Sequence, residues 1–349
     1  KFEQQFATYA GSRFCVMVNS GSSANLLAIA ALSLRSVNPL RPGDEVIVPA
    51  VSWSTTYYPL HQYGLKLRFV DIDGETLNLD LDQLETAIND RTRLVAAVNL
   101  LGNPLDYARL SGIIGDRPIT VFEDNCESLG ATLGGKQAGT FGAIGTYSSF
   151  FSHHISTMEG GMAVTDDEEL YHLMLSVRAH GWTRDLPREN RVCVKSDDHF
   201  SESFRFVLPG YNLRPLEMSG ALGQEQLLKL PDIVRSRRTN AMEFQALFAN
   251  KHGISIQSET GESSWFGFAF VLDEKIHKRK DVLDMLASRG VETRPVVAGN
   301  FVRNPVVKYF DYVVHRELQQ ADRITDHGFF IGNHHYDIRP QLRELATLF

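Results

Sequence analysis

Ser148-Ser149-Phe150-Phe151-Ser152-His153-His154-Ile155-Ser156-Thr157-Met158-Glu159-Gly160-Gly161 places two adjacent histidines between a run of small and aromatic residues and a Glu-Gly-Gly turn. Neighbouring histidines invite a metal-site reading. On an extended segment, however, adjacent side chains point to opposite faces, and no Glu or Cys stands at a zinc-site spacing from the pair. Taken alone, a satisfied structural histidine explains the pair better.

Moving outward, Glu123-Asp124 closes the apolar run Ile119-Thr120-Val121-Phe122, which reads as a strand. The carboxyl end of a parallel strand is where open α/β sheets bind ligands, and a carboxylate there can keep a pyridine nitrogen protonated. A helix N-cap for Asn125 onward is the equally simple alternative. Further upstream, Phe14 to Val18 reads as a strand, and Asn19-Ser20-Gly21-Ser22-Ser23-Ala24-Asn25 joins it to an apolar helix reaching about Leu34. Small residues at a helix start let backbone N–H groups and the helix dipole meet a phosphate. Plain N-capping by Ser22 accounts for the same residues.

The pattern repeats along the first two-thirds of the chain. Glu45 to Val48, Leu67 to Val70, Leu94 to Val98 and Thr120 to Phe122 read as strands, with helical spacing between them, as in Leu81 to Ile88. Such alternation predicts an α/β fold with a mostly parallel sheet covered on both faces. After about Leu230 the texture changes to a helix over Asp232 to Asn250, an antiparallel strand over Trp265 to Leu272 and a helix over Arg279 to Arg289. A large cofactor-binding domain over 1–230 and a smaller C-terminal α+β domain over 231–349 are expected, in keeping with 349 residues and roughly 150 residues per domain.

Bulk properties exclude several classes. A net charge of -7 with no basic arm argues against nucleic acid or an anionic membrane as partner. No apolar run approaches a membrane span and no signal peptide opens the chain. Cys15, Cys126 and Cys193 are far apart and form no CxxC pair, so reduced cytoplasmic thiols are the simplest reading. The chain starts Lys1-Phe2-Glu3 without an initiator methionine, and a preceding N-terminal piece is expected.

Together, Gly21-Ser22, Glu123-Asp124, Ser148 and Glu159-Gly160-Gly161 resemble the DegT/DnrJ/EryC1/StrS family. These are the sugar aminotransferases and dehydratases among the fold-type-I, aspartate aminotransferase-like enzymes of pyridoxal phosphate (PLP). Three motifs in the right order are far more specific than any one of them, and the likeness continues through Gly210-Tyr211-Asn212-Leu213-Arg214. The departure carries the functional message: the family's Schiff-base lysine falls at His153. Lys136, in Gly134-Gly135-Lys136-Gln137, lies in a turn and does not match that slot. Imidazole forms no imine with an aldehyde but moves protons near neutral pH.

Within the family, histidine in this slot resembles the sugar 3-dehydratases, as do Val48 to Tyr58, Arg178 to Arg184 and Gly261 to Phe268. The resemblance implies a GDP-linked 4-keto-6-deoxy sugar of manno configuration as substrate and L-glutamate as co-substrate. Glutamate would convert PLP to pyridoxamine phosphate (PMP), and His153 would act as acid and base while the C3 hydroxyl leaves. It further implies that Asp124 pairs with the pyridine nitrogen, Trp53 packs on the ring, and Gly21, Ser22 and Ser148 hold the phosphate. Glu127 stands where many relatives have Gln or His near the ring hydroxyl, which puts that contact in doubt. Asn212 matches a residue that reaches the neighbouring subunit's cofactor, so a homodimer with shared sites is expected. His180, Arg184 and Arg294 are candidate substrate-side groups, with a solvated surface charge the alternative for Arg184. A second histidine-bearing group carries a [2Fe–2S] cluster, which needs four ligands, usually cysteines. Only Cys193 follows the histidine motif, so neither that cluster nor another metal is expected. Two rival readings remain, an aminotransferase with a relocated lysine and a non-catalytic protein that kept the fold.

Overall fold

From Gly21 to Leu34 every side chain except Asn25 is small or aliphatic, and the helix they form is apolar nearly all round. It is therefore a helix to be enclosed rather than laid on a surface. The computed structural model describes residues 1–349 and places it so. In chain order the strands are β1 (Phe14–Val18), β2 (Glu45–Pro49), β3 (Lys66–Val70), β4 (Thr92–Val98), β5 (Thr120–Asp124), β6 (Thr132–Leu133), β7 (Lys136–Gln137), β8 (Ile144–Ser148), β9 (Gly161–Thr165), β10 (Ile254–Ile256), β11 (Gly267–Leu272), β12 (Thr293–Arg294), β13 (Tyr312–Val314) and β14 (Gly328–Gly332). The helices used below are α1 (Phe2–Ala10), α2 (Gly21–Leu34), α3 (Ser54–Gln62), α4 (Leu81–Ala87), α5 (Tyr107–Ile114), α6 (Glu168–Arg178), α7 (His199–Glu202) and α8 (Glu217–Phe248).

An eight-stranded sheet in the order β1-β9-β8-β5-β4-β2-β3-β13 forms the body of the molecule. Every strand runs parallel except β9, which is antiparallel to both β1 and β8. α2 lies against β8, β9, α3 and α6, burying Ala24, Leu27, Ala28, Ile29, Ala30, Ala31 and Leu32. Its alanines permit close approach to the sheet; its leucines fill the space between helices. A second, four-stranded sheet, β10-β11-β14-β12, is wholly antiparallel and packs its aromatic face on α8 through Phe244, Phe248, Phe268 and Phe270. The α/β architecture with a mostly parallel sheet is as the sequence predicts.

Two differences are physical. α8 begins at Glu217, not Asp232, and continues through Pro231. A proline inside a helix removes one hydrogen bond and crowds the carbonyl four residues earlier; here Leu230, Ile233 and Val234 on its two sides are buried in one core cluster and carry the helix through. The chain beyond α8 also returns one strand, β13, which pairs in parallel with β3 at the edge of the large sheet. No helix is long and apolar enough to cross a membrane.

Candidate active site

β5 delivers two carboxylates to opposite faces of the sheet. Glu123 is fully buried and accepts from the amides of Gly139 (2.7 Å) and Gly142 (2.5 Å), a structural anchor for that turn. Asp124 faces the other way. Its Oδ2 accepts from Asn25 Nδ2 (2.8 Å) and Thr56 Oγ1 (2.7 Å), and its Oδ1 accepts from the amide of Cys126 (3.2 Å). Thr146 Oγ1 donates to Asn25 Oδ1 (2.6 Å), which turns the Asn25 amide nitrogen towards Asp124. No helix follows Asp124, so the N-cap alternative does not hold.

At the start of α2 the cap is Ser20, whose Oγ accepts from the amide of Ser23 (3.1 Å). Ser22, the cap expected from the sequence, instead donates its hydroxyl to Thr55 (3.1 Å). The Gly21 and Ser22 amides, in the first turn, have no intrahelical acceptor. Gly21 is obligatory here: a Cβ would stand 2.7 Å from Ser148 Cβ and 3.0 Å from Cys126 Sγ. β8 therefore ends against the positive end of α2.

The histidines sit in the β8–β9 loop and not on a strand, which overturns the expectation of opposite faces. The Ser149 amide bonds Gly160 O (2.9 Å), the Thr157 amide bonds Ser149 O (2.9 Å), and the Ser149 and Thr157 hydroxyls meet at 2.6 Å. Across this brace the His153 amide donates to Phe150 O (2.9 Å). Both imidazoles turn to the same ring, Phe266, at 5.0 Å for His153 and 5.9 Å for His154. His154 is buried with its Nε2 at 3.1 Å from Ser264 O and its Nδ1 without a partner, and it lines a neighbouring cavity and not the one lined by Asp124, the structural histidine of the pair. His153 Nδ1 is buried without a partner, which leaves Nε2 as the nitrogen open to the cavity. Burial, and then the positive charge of Arg237, pull the His153 pKa down to about 4, so it is neutral and proton-accepting at pH 7.

A cavity of about 590 Å³ lies between these elements. All the cofactor residues named from sequence except Asn212 line it, together with His153 and Arg294, and no lysine does. Trp53 is 57% exposed on its wall, an indole face held in the open by the start of α3. Glu127 accepts from the Leu101 amide (3.0 Å); burial pushes its carboxyl up to about 7, only partly opposed by that bond. Arg294 reaches the cavity from β12 while paired to Glu292 (2.8 Å). Lys136 lies in the β6–β7 hairpin over Phe141 (4.8 Å), outside the cavity.

His180, Arg184 and Asn212 are not brought to His153. Arg184 and Asn212 line a separate cavity of about 860 Å³, and His180 and Arg184 both rest on Trp182, at 5.1 and 5.6 Å. The cause is topological: the 178–214 segment folds back on β1, an edge strand, through the Asn19 amide to Leu213 O (2.9 Å) and Arg178 Nη1 to Met17 O (2.9 Å). Sequence reasoning missed Asn25 and Thr56 as holders of Asp124. They lie 99 and 68 positions away in sequence, and no local spacing signals such pairs.

The model of the DegT/DnrJ/EryC1/StrS aminotransferase family matches residues 1–337. The chain belongs to this family. Among its relatives is the GDP-4-keto-6-deoxy-D-mannose 3-dehydratase of Yersinia pseudotuberculosis, 57% identical over 351 residues, covering 100% of this chain and 89% of the relative. A crystal structure of GDP-4-keto-6-deoxymannose-3-dehydratase with a trapped PLP-glutamate geminal diamine superposes with a TM-score of 0.98 at 55% identity, covering 99% of this chain and 91% of that one. A histidine-to-asparagine mutant of that dehydratase with bound GDP-perosamine matches with the same TM-score of 0.98, identity of 55% and coverage of 99% and 91%. The mostly parallel sheet described above is thus the PLP-aminotransferase fold of this family.

Proposed function

We propose that this chain uses PLP/PMP and L-glutamate to remove the C3 hydroxyl of GDP-4-keto-6-deoxy-D-mannose. The products are GDP-4-keto-3,6-dideoxy-D-mannose, 2-oxoglutarate and ammonia. The oxygen lost by the sugar balances the oxygen gained by the keto acid. The observation that carries the reading is His153: an unprotonated imidazole at the family's lysine position, in a cavity with Asp124 and without a lysine.

The residues fit the cofactor. Gly21 and Ser22 amides with the Ser148 hydroxyl offer anion donors at a helix N-terminus. Asp124, fixed by Asn25 and Thr56, is oriented to hold a protonated ring nitrogen, and Trp53 offers an apolar face. When bound, the cofactor supplies an electron sink conjugated to the sugar's C4, so that loss of a proton beside it can be matched by departure of the C3 hydroxyl. His153 Nε2 accepts that proton, and the imidazolium it becomes can return it to the leaving oxygen. The Ser149–Thr157 brace keeps the imidazole in place, and Phe266 shields its buried edge from water. Arg294, at the seam with the next cavity, is placed to hold an anionic group of the sugar nucleotide or of glutamate.

We further propose a homodimer in which Asn212, His180 and Arg184 of each chain complete the partner's site. Their separate location supports this, as does the apolar surface beside them, with Leu216 and Met218 66% and 71% exposed. Residues 1–230 are read as the cofactor-binding part and 231–349 as the smaller part, sharing α8 across the boundary. Three cysteines without a disulfide suit a cytoplasmic setting. The test is incubation with PLP, L-glutamate and GDP-4-keto-6-deoxymannose. A sugar product lighter by one oxygen, with ammonia released, supports the assignment, whereas an amino sugar would replace it with transamination.

A further inference from the structure

Behind His153 lies a charge that the proposed chemistry leaves unused. Arg237, on α8, is only 4% exposed, yet it pairs with no carboxylate, and its Nε has no hydrogen-bond partner. Burying an unpaired cation is expensive, and burial pulls its own pKa only to about 10, so it stays charged. Its Nη1 donates to the carbonyls of Trp265 (3.3 Å) and Phe266 (3.1 Å). Trp265 has a left-handed backbone, φ 49°, which a bulky residue adopts only when its surroundings enforce it. Phe266, held by this clamp, carries the ring that stands against the His153 imidazole at 5.0 Å. Arg237 also lines, with His153, a cavity of about 1010 Å³ that adjoins the cofactor cavity.

We propose that Arg237 is a positioning residue for the proton-transfer step: it fixes Phe266 against His153 and its uncompensated charge keeps that imidazole in the proton-accepting form. This rests on His153 being the base. Other ionisable groups on the two cavity walls are Asp124, Cys126, Glu127 and Glu159 from the large-sheet side, the Cys126 thiol kept neutral by burial. From the other side come Lys229 and Asp232 of α8, the paired Glu292 and Arg294, and His334, His335 and Tyr336. All of this second set is exposed and screened by water, as is Glu159. The Asp124 carboxylate favours a charged imidazole and so opposes Arg237, whereas Glu127, raised to about 7 by burial, is neutral where His153 titrates. His154, the chain neighbour, is itself held neutral, burial first and Arg237 next. Burial comes first in holding the His153 imidazole neutral, and Arg237 is the buried cation that adds to it.

The experiment is an NMR pH titration of the histidine-labelled holoenzyme, with His153 assigned by its loss in His153→Asn. Wild-type His153 is expected to stay neutral well below the ordinary imidazole range. In Arg237→Gln its titration should rise measurably, yet stay below that range because burial persists, and the acid limb of kcat should move with it. Arg237→Lys, which keeps the charge, should restore the low value. Arg238→Gln removes a neighbouring clamp on Ser263 O, Glu262 O and Gly130 O and should leave the titration unmoved. A folded Arg237→Gln protein titrating as wild type overturns the proposal. So does a wild-type His153 titrating near about 6.5, an outcome that needs no variant to fold. Loss of dehydration in His153→Asn is read separately, so the base assignment can stand while the role of Arg237 falls.

Discussion

Lysine and histidine differ in reach as much as in chemistry. A lysine stem can search for its partner, whereas an imidazole one carbon from the backbone must be delivered by its loop. His153→Asn should therefore lower dehydration by at least about 10²-fold while cofactor binding persists, read as product formation against retained PLP absorbance. His153→Lys should restore a lysine–cofactor imine, detected as a borohydride-trapped adduct mapping to residue 153; PLP bound without such an adduct would place that position away from the aldehyde. Glu127 makes a prediction about pH. Its folded pKa, about 7, lies above the ordinary 4.5, so the folded state binds more protons between those values. The stability this contributes is complete below about 4.5 and lost as pH rises through about 7. Glu127→Gln keeps an acceptor for the Leu101 amide, so its thermal stability relative to the wild-type apoprotein should improve between about pH 4 and pH 8. A constant difference would show that Glu127 titrates normally.

At the scale of elements, the site is a meeting of ends: the carboxyl end of β5, the amino ends of α2 and α3, and the β8–β9 loop. Thr56 ties α3 to β5 by donating to Asp124. Thr56→Val keeps the shape but removes the donor, and should cost about 1–3 kcal/mol in urea unfolding. Much of this arrangement was legible. The turn before α2, the acidic pair and the Glu-Gly-Gly turn each mark a strand end, and their order brings them to one edge of a parallel sheet. What was not legible depends on long-range contact. Ser20 rather than Ser22 caps α2 because the helix already opens at Gly21, which puts Ser22 inside the first turn with its hydroxyl on Thr55. His153 and His154 share one neighbour because a braced loop, not a strand, carries them. α8 passes through Pro231, which a local rule reads as a boundary.

For the whole molecule, the decisive feature is the separation of Asn212 and Arg184 from His153 within one chain. For Asn212 the family likeness implied this in advance; for Arg184 nothing in the sequence says which subunit's cavity it completes. If sites are shared, mixing inactive His153→Asn chains with inactive Asn212→Ala chains should recover part of the activity after subunit exchange. Recovery arises because one mixed site draws both intact residues. No recovery, with exchange confirmed by mass, would confine each site to its own chain.

The lysine-free cavity has a consequence for supply. An enzyme that tethers its cofactor covalently keeps it through dilution and through every gap between substrates. With the cofactor site proposed above, retention would depend on anion donors, one carboxylate and one indole face, so occupancy would follow the free cofactor concentration by mass action. Such a protein would be a borrower of its vitamin: scarcity would empty it, plenty would refill it, and the catalytic capacity of a cell holding it would rise and fall with that pool.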